Sequence, residues 1–299
     1  EAHARGPRPE AVGRWRGRAT DYLELTKPRL TMLVLFTTAA GFWLGLAAPA
    51  GLARLWPALV GTALCAGGAN ALNQWMERRE DALMRRTHHR PLPAGRLTPE
   101  AAWRFGTPLA VAGLALLAAA VTPLASGLAA VCLVSYLGLY TPMKRTTPLC
   151  TLVGAIPGAI PPMIGWVAAR GHLDPGAWAL FGMLFIWQLP HFLAIAVLYR
   201  EDYARAGFKM LPLTEPAGVM AARQMALSGL VLVPVSLVPA VMGVAGEGSF
   251  YGALSLSLGF LTVCGYAAVK RSAVACRHLF HASLLYLPVW LGLLAWDKR

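Results

Sequence analysis

Long apolar segments alternate with short charged ones along the whole chain. Uncharged stretches extend over 30–51, 55–76, 105–143 and 146–169. A membrane-spanning helix needs about 20 apolar residues, so the stretch 105–143 is long enough for two helices, with a turn at residues 122–126. The pattern predicts an all-α polytopic membrane protein. Its nine predicted transmembrane helices are 30–50, 55–76, 105–122, 125–142, 149–169, 176–199, 224–245, 249–269 and 279–296.

Composition agrees with a membrane protein. Hydrophobic residues make up 57% of the chain and charged residues only 14%, and the mean hydropathy is +0.52. Globular proteins carry about 25% charged residues, so a soluble enzyme is not expected. The five cysteines are scattered, and we expect them, like Gly67 and Gly68, to be small packing residues inside the bundle.

The basic residues are distributed unevenly between the two sides of the membrane. If the chain crosses nine times, 23 of the 27 Lys and Arg residues lie on the side of the N-terminus. The positive-inside rule then places the N-terminus and these loops in the cytoplasm, or in the matrix for a mitochondrial protein. The bacterial inner membrane is the expected location, and no cleavable signal peptide is expected. Because the basic residues flank the spans, membrane lipids explain the net charge of +13, and no nucleic-acid partner is expected.

A stripe of polar residues closes the second predicted span. Asn70, Asn73, Glu77 and Asp81 follow one another at intervals of three, four and four residues. On one continuous helix they fall within a stripe about 80° wide. Two carboxylates one turn apart repel each other unless a cation lies between them. Oxygen ligands at this spacing suit Mg²⁺, which completes its shell with water and substrate phosphate.

Basic residues and a second acidic pair are predicted on the same side of the membrane. Arg86 and Arg90 directly follow the polar stripe, and Pro91 is expected to end the helix near Arg90. Arginine suits bidentate recognition of phosphate. Two further charged groups, Lys144–Arg145 and Glu201–Asp202, emerge on the same face by the parity of the spans. Carboxylates beside cations indicate a site for one or two magnesium ions and a diphosphate.

One histidine lies inside a predicted span. His191 follows Pro190 in the sixth span. A buried histidine is often a hydrogen-bonded packing residue, but ionisable residues within membranes tend to be functional. Imidazole is also a common axial ligand of haem iron, and both interpretations remain open from the sequence.

Four motifs carry a resemblance to a known family. They are Asn73-x3-Glu77-x3-Asp81-x2-Met84-x-Arg86-Thr87-x2-Arg90-Pro91, then Glu24-Leu25-Thr26-Lys27-Pro28-Arg29, then Tyr140-Thr141-Pro142-x-Lys144-Arg145, and Pro190-His191-Phe192 followed by Arg200-Glu201-Asp202-Tyr203-x2-Ala206-Gly207-x2-Met210-Leu211-Pro212. Together they resemble the protoheme IX farnesyltransferases, also called haem O synthases, within the UbiA-type intramembrane prenyltransferase superfamily. The matching motifs cover residues 24–215, and the last three spans agree in hydropathy.

The resemblance implies a fold, a reaction and a set of roles. The fold is a helical bundle whose central cavity opens at the cytoplasmic face. The reaction moves farnesyl from farnesyl diphosphate to the 2-vinyl group of haem b with addition of water, and Mg²⁺ is the cofactor. Implied partners are haem A synthase and the assembly of a haem-copper oxidase. The implied roles are metal and catalysis for Asn73, Glu77, Asp81 and Asp202, metal also for Glu201, diphosphate for Lys27, Arg86, Arg90, Lys144 and Arg145, and haem for His191.

The domain organisation is simple. A basic cytoplasmic tail is expected at 1–27 and a single transmembrane domain at 28–299. Active-site loops are expected at about 77–104, 142–148 and 199–223. Two alternative functions remain open: a prenyltransferase with an aromatic or chlorin acceptor, as the resemblance to the superfamily also allows, and, more remotely, a permease for haem or an anion.

Overall fold

A computed structural model describes residues 9–47, 49–215 and 218–299 of the protein. Residues 1–8 of the predicted tail, residue 48 of the first predicted span, and residues 216 and 217 of the predicted loop 199–223 lie outside this description. The described residues are helical with connecting turns, plus one isolated β-bridge between Ala245 and Lys298. The helices are α1 (Pro9–Leu25), α2 (Pro28–Gly45), α3 (Leu55–Met76), α4 (Arg78–Leu83), α5 (Pro99–Ala120), α6 (Pro123–Leu133), α7 (Thr141–Met143), α8 (Cys150–Ala159), α9 (Pro161–Arg170), α10 (Pro175–Leu198), α11 (Arg200–Arg205), α12 (Leu211–Thr214), α13 (Val219–Val241), α14 (Glu247–Lys270) and α15 (Ala273–Trp296). A 3₁₀ turn (Pro49–Arg54) precedes α3, and a π-helix (Val134–Tyr140) joins α6 to α7.

Eight helical segments of the described chain are long and apolar enough to cross a membrane, which confirms the polytopic class. They are Leu52–Met76, Pro99–Ala120, Pro123–Met143, Cys150–Arg170, Pro175–Leu198, Val219–Val241, Glu247–Lys270 and Ala273–Trp296. The first predicted span corresponds to α2, an 18-residue helix with Pro28 and Arg29 in its first turn, which is not among the eight.

Several spans begin earlier than hydropathy predicted, because capping residues start the helices. Thr98 caps α5, since its Oγ1 accepts a hydrogen bond from the Ala101 N–H at 3.2 Å, and Pro99 follows at the first helical position. Ser272 caps α15 in the same way. Charged residues near the start of these helices, Glu100 and Arg104 in α5 and Arg277 in α15, hid the true start from an apolar pattern.

Glycines bring helices into backbone contact, as the sequence predicted for Gly68. A Cβ atom on Gly68 would lie 2.6 Å from the backbone nitrogen of Ala110, so α3 and α5 meet with no room for a side chain. The same holds between α2 and α9, where a Cβ on Gly165 would lie 1.9 Å from the carbonyl oxygen of Thr38. These crossings fix the walls around the interior.

Two buried clusters fill most of the bundle. The larger lies among α10, α13, α14 and α15 and includes Trp290 and Tyr286. The smaller joins α2, α3, α5, α6 and α9, and includes Phe42, Leu117 and Ile164. Helix α1 is tied to the chain before α5, because Arg96 forms ion pairs with both Asp21 and Glu24 at 2.7 Å. A cavity borders the smaller cluster, and residues of the loops that follow α4, α7 and α11 line its other end.

Candidate active site

A cavity of about 460 Å³ lies among α2, α3, α6, α8, α9 and α10. One end is charged and the rest is mostly apolar. The polar residues at the charged end, called the mouth below, are Lys27, Asn70, Asn73, Glu77, Asp81, Arg86, Arg90 and Lys144. The structure therefore gathers polar residues from three separate stretches of sequence, at 27, 70–90 and 144, around one opening.

The polar stripe lies on two helices rather than one. Asn70 and Asn73 belong to α3, which ends at Glu77, and Asp81 belongs to the short helix α4. All four side chains still line the cavity. The break at Glu77 is mild, since the Asp81 N–H still donates to the Glu77 carbonyl at 2.8 Å.

The predicted end of this helix near Arg90 is wrong. Helix α4 ends at Leu83, because Met84 has an extended backbone with φ −95° and ψ 131°. The chain then folds back, and the Thr87 hydroxyl donates to the carbonyl of Asp81 at 2.9 Å. This turn brings Arg90 to the carboxylate of Asp81. An unbroken helix would have carried Arg90 away from it.

Two ion pairs cross the mouth. Lys144 Nζ lies 2.6 Å from Glu77 Oε1, and both side chains are largely buried. Arg90 donates to both carboxylate oxygens of Asp81, at 2.9 and 2.8 Å. Each carboxylate is thus neutralised by a cation that also lines the cavity.

Lys27 and Thr141 hold Asn73 between them. Lys27 Nζ donates to Asn73 Oδ1 at 3.0 Å, and Asn73 Nδ2 donates to Thr141 Oγ1 at 3.2 Å. Burial, together with the nearby Arg90 cation, lowers the pKa of Lys27. Its backbone is left-handed, with φ 47°, which turns the chain sharply between α1 and α2. Sequence analysis assigned no role to Thr141.

Aromatic rings support the cations of the mouth, and sequence analysis did not assign them. The guanidinium of Arg86 lies 4.8 Å from the ring centroid of Tyr199 and 5.9 Å from that of Tyr203. Lys144 Nζ lies 4.6 Å from the ring centroid of Tyr140. These are cation–π distances. The spacing Tyr199-x3-Tyr203 was a usable signal, since residues four apart share a helical face.

Asp202 lies beside the mouth rather than in it. Its carboxylate accepts hydrogen bonds from the backbone N–H groups of Arg85 at 3.0 Å and Arg86 at 3.2 Å, and it also pairs with Arg205. Burial alone would raise the pKa of Asp202, but these hydrogen bonds and the Arg205 charge lower it. Asp202 is not among the residues that line the cavity. The second acidic motif thus contacts the first through Asp202, which holds the loop that carries Arg86.

Three other predicted residues lie outside the cavity. Glu201 is exposed on α11. Arg145 pairs with Glu80 at 2.8 Å. His191 faces α15, where its Nδ1 lies 2.7 Å from Ser283 Oγ. Its ring stacks on Trp187 and on Phe280, with centroids 5.5 and 5.2 Å away.

The mouth fits a magnesium ion through its chemistry. Asn73, Glu77 and Asp81 offer one amide and two carboxylate oxygens on a shared wall, which is the hard-oxygen set that Mg²⁺ prefers. Among the described residues no three His, Cys, Asp or Glu side chains are grouped to hold a metal. The substrate anion and water would therefore have to complete the coordination, as is usual for Mg²⁺. Asp202 is bonded to the N–H groups of Arg85 and Arg86 and does not line the cavity, so it lies apart from this oxygen set.

Comparisons with known proteins agree with this geometry. Residues 34–297 match the UbiA prenyltransferase family. A protoheme IX farnesyltransferase of Solibacter usitatus is 48% identical over 287 residues, covering 93% of this chain and 98% of that protein. One of Salinibacter ruber is 45% identical over 280 residues, covering 93% and 98%.

Solved structures share the fold at low sequence identity. A digeranylgeranylglyceryl phosphate synthase superimposes with a TM-score of 0.79 at 14% identity, covering 94% of this chain and 98% of that one. A UbiA homologue of Archaeoglobus fulgidus, bound to GPP and Mg²⁺, superimposes with a TM-score of 0.68 at 18% identity, covering 92% and 99%.

Proposed function

Since the chain belongs to the UbiA prenyltransferase family, we propose that it transfers the farnesyl group of farnesyl diphosphate to the 2-vinyl group of haem b, with addition of water. The products are haem O and diphosphate. The protein is an integral membrane prenyltransferase, and its described residues include eight helices long and apolar enough to cross a membrane. The observation that carries the proposal is a mouth of paired carboxylates and cations above an apolar cavity, in a chain 48% identical to a protoheme IX farnesyltransferase.

The mouth binds the diphosphate. Lys27, Arg86, Arg90 and Lys144 line the cavity there and donate to phosphate oxygens. Arg145, which pairs with Glu80 outside the cavity, is the more distant predicted contact. Asn73, Glu77 and Asp81 hold Mg²⁺, which when bound neutralises charge on the diphosphate. Asp202 and Glu201 remain the predicted second metal position, which requires Asp202 to leave the N–H groups of Arg85 and Arg86.

The residues of the mouth drive departure of the diphosphate. The bond between the farnesyl C1 and its oxygen breaks, and the electron pair leaves with the diphosphate. Lys144 and Arg90 stabilise the charge that develops there, which is usually the largest catalytic effect in such sites. Below them the cavity presents mainly apolar walls, so the allylic cation is kept from water. The vinyl π electrons then form the new carbon–carbon bond to C1.

Water completes the product. The cation that remains on the vinyl carbon next to the macrocycle is captured by a water molecule, which then loses a proton. His191 is the proposed haem contact, through iron or a propionate. The Nδ1 atom of His191 is bonded to Ser283, so Nε2 is the nitrogen that would face the haem. The haem then lies along α10 and α15 and reaches the donor past Phe192, which follows His191 and lines the cavity.

The membrane arrangement is part of the proposal. Helix α2 supplies the ninth span, the mouth faces the cytoplasm, and residues 28–299 form one domain with active-site loops 77–104, 142–148 and 199–223. The proposed location is the bacterial inner membrane with the N-terminus in the cytoplasm. Haem A synthase and the assembly of a haem-copper oxidase are the proposed downstream partners, since they use haem O.

One incubation tests reaction, donor and acceptor together. The detergent-purified protein is mixed with haem b and farnesyl diphosphate, with Mg²⁺ or with EDTA, and the haem is analysed by mass spectrometry. A magnesium-dependent mass gain of one farnesyl plus one water supports the proposal. Unchanged haem overturns it. Prenylation of 4-hydroxybenzoate or a chlorin would then indicate another acceptor, and flux into proteoliposomes without product would indicate a permease.

A further inference from the structure

The cavity ends on three side chains from three different helices. Thr62 of α3, Ala129 of α6 and Ile164 of α9 line it and are almost completely buried. Ala129 and Ile164 also belong to the smaller buried cluster, in which Phe42 and Leu117 lie behind them. The cavity therefore stops where this cluster begins. We call Thr62, Ala129 and Ile164 the floor.

The depth of the floor below the mouth follows from α3. Thr62 precedes Asn70 by eight residues and Asn73 by eleven on the same helix, and all three line the cavity. At the rise of an α-helix these separations are about 12 and about 16 Å. An extended farnesyl chain spans about 14 Å at ordinary carbon–carbon bond lengths, and one isoprene unit changes that by about 5 Å. A farnesyl chain whose C1 lies beside Asn70 and Asn73 thus ends at the floor.

The floor cannot easily shift outward at Ile164, because α9, which carries this residue, is in backbone contact with α2. A Cβ on Gly165, next to Ile164, would lie 1.9 Å from the carbonyl oxygen of Thr38. A Cβ on Gly41 would lie 2.0 Å from the carbonyl oxygen of Pro162. Closely packed interiors accommodate added volume poorly. A longer chain would have to displace this crossing or leave sideways between helices.

On the basis of the function proposed above, we propose that Thr62, Ala129 and Ile164 set the length of the prenyl chain that the enzyme accepts. Farnesyl fills the space down to the floor. A geranyl chain leaves the lower part empty and loses those contacts. A geranylgeranyl chain meets Ile164 and Ala129 before its C1 reaches the mouth, so its diphosphate is held too far out for Lys144 and Arg90.

Variants of the floor test the assignment by competition. Geranyl, farnesyl and geranylgeranyl diphosphates are offered in equal amounts with haem b and Mg²⁺, and the prenylated haems are counted by mass spectrometry. Ile164→Ala deepens the cavity, and we expect the preference for geranylgeranyl over farnesyl to rise at least about tenfold. Ala129→Leu raises the floor, and the preference moves toward geranyl by a similar factor. Ile164→Val gives a milder change if Ile164→Ala does not fold.

Ile160→Ala is the matched control. Ile160 lies one turn from Ile164, is equally buried in the same cluster and does not line the cavity. Its variant loses the same atoms, so the donor preference should stay that of the wild type. Unchanged preference in active Ile164 and Ala129 variants overturns the assignment and places the chain end elsewhere, for example past Val34. If the wild-type enzyme prenylates haem with none of the three donors, the proposed function is refuted instead.

Discussion

The ammonium group of Lys144 lies 2.6 Å from a carboxylate oxygen of Glu77, and the contact joins the loop after α7 to the end of α3. The two residues are 67 positions apart in the chain. Both side chains are largely buried, so neither charge is compensated by bulk water. Each residue therefore neutralises the charge of the other before substrate binds. Each also belongs to the proposed diphosphate site.

A double mutant separates the effect of this ion pair on stability from its effect on activity. Lys144→Met or Glu77→Gln alone leaves a buried charge without its partner, which costs about 3 kcal/mol of stability. The double variant removes both charges of this pair, so its unfolding midpoint in detergent should return close to that of the wild type. Its activity should not return, because the cation and the carboxylate are both missing. Full activity in the stable double variant would remove both residues from the site.

Asp81 and Glu80 are adjacent carboxylates with opposite expected effects. Asp81 pairs with Arg90 inside the mouth, whereas Glu80 pairs with Arg145 outside the cavity. Asp81→Asn should lower kcat/KM at least about 100-fold, because it removes a charge from the proposed magnesium site. Glu80→Gln should stay within about threefold, as expected for a partly exposed ion pair. Steady-state kinetics of both variants at saturating Mg²⁺ checks this, and equal losses would contradict the assignment.

Asp202 can be tested as a metal ligand or as a support for the Arg86 loop. Its carboxylate bonds to the N–H groups of Arg85 and Arg86, so Asp202→Asn places an amide N–H or a weaker acceptor against them. If it supports the loop, activity falls and the Mg²⁺ concentration for half-maximal activity stays the same. If it binds metal, that concentration rises and excess Mg²⁺ restores part of the activity. A magnesium titration of the purified variant distinguishes the two outcomes.

His191 should affect haem and not the prenyl donor. His191→Ala is expected to raise the KM for haem b about tenfold or more and leave the KM for farnesyl diphosphate within about twofold. Ser283→Ala removes the partner of Nδ1 and should produce a smaller change in the same direction. His281→Ala is the control, since His281 is exposed on α15, the helix that carries Ser283. An effect of His191→Ala on the donor KM alone would contradict the haem assignment.

The membrane class was easier to predict from the sequence than the arrangement of the candidate site. The membrane class followed from hydropathy, and the expectation that Lys144 and Glu77 share one face followed from the parity of the spans. The turn after Leu83 did not, because it depends on the Thr87 hydroxyl bonding back to Asp81 and on Asp202 holding Arg85 and Arg86. Contacts of this kind join distant parts of the chain and leave no local pattern.

The position of Tyr140 beside Lys144 and the π-helix that sets it were equally hard to predict. Tyr140 ends a π-helical segment (Val134–Tyr140), and no residue type marks that segment in the sequence. The wide turn places Tyr136 and Tyr140 on the cavity wall, where Tyr140 lies beside Lys144. The predicted helix starts were too late for a simpler reason, since capping residues such as Thr98 begin helices inside polar sequence.

The contact between α2 and α9 limits which substitutions this sequence can accept during evolution. Gly41 faces the carbonyl oxygen of Pro162, and Gly165 faces that of Thr38, so each helix supplies one glycine to the other's backbone. A larger residue at either position would push the two helices apart along their whole crossing. Both glycines should therefore be retained in descendants of this gene, because a substitution at either one alone is enough to separate the helices.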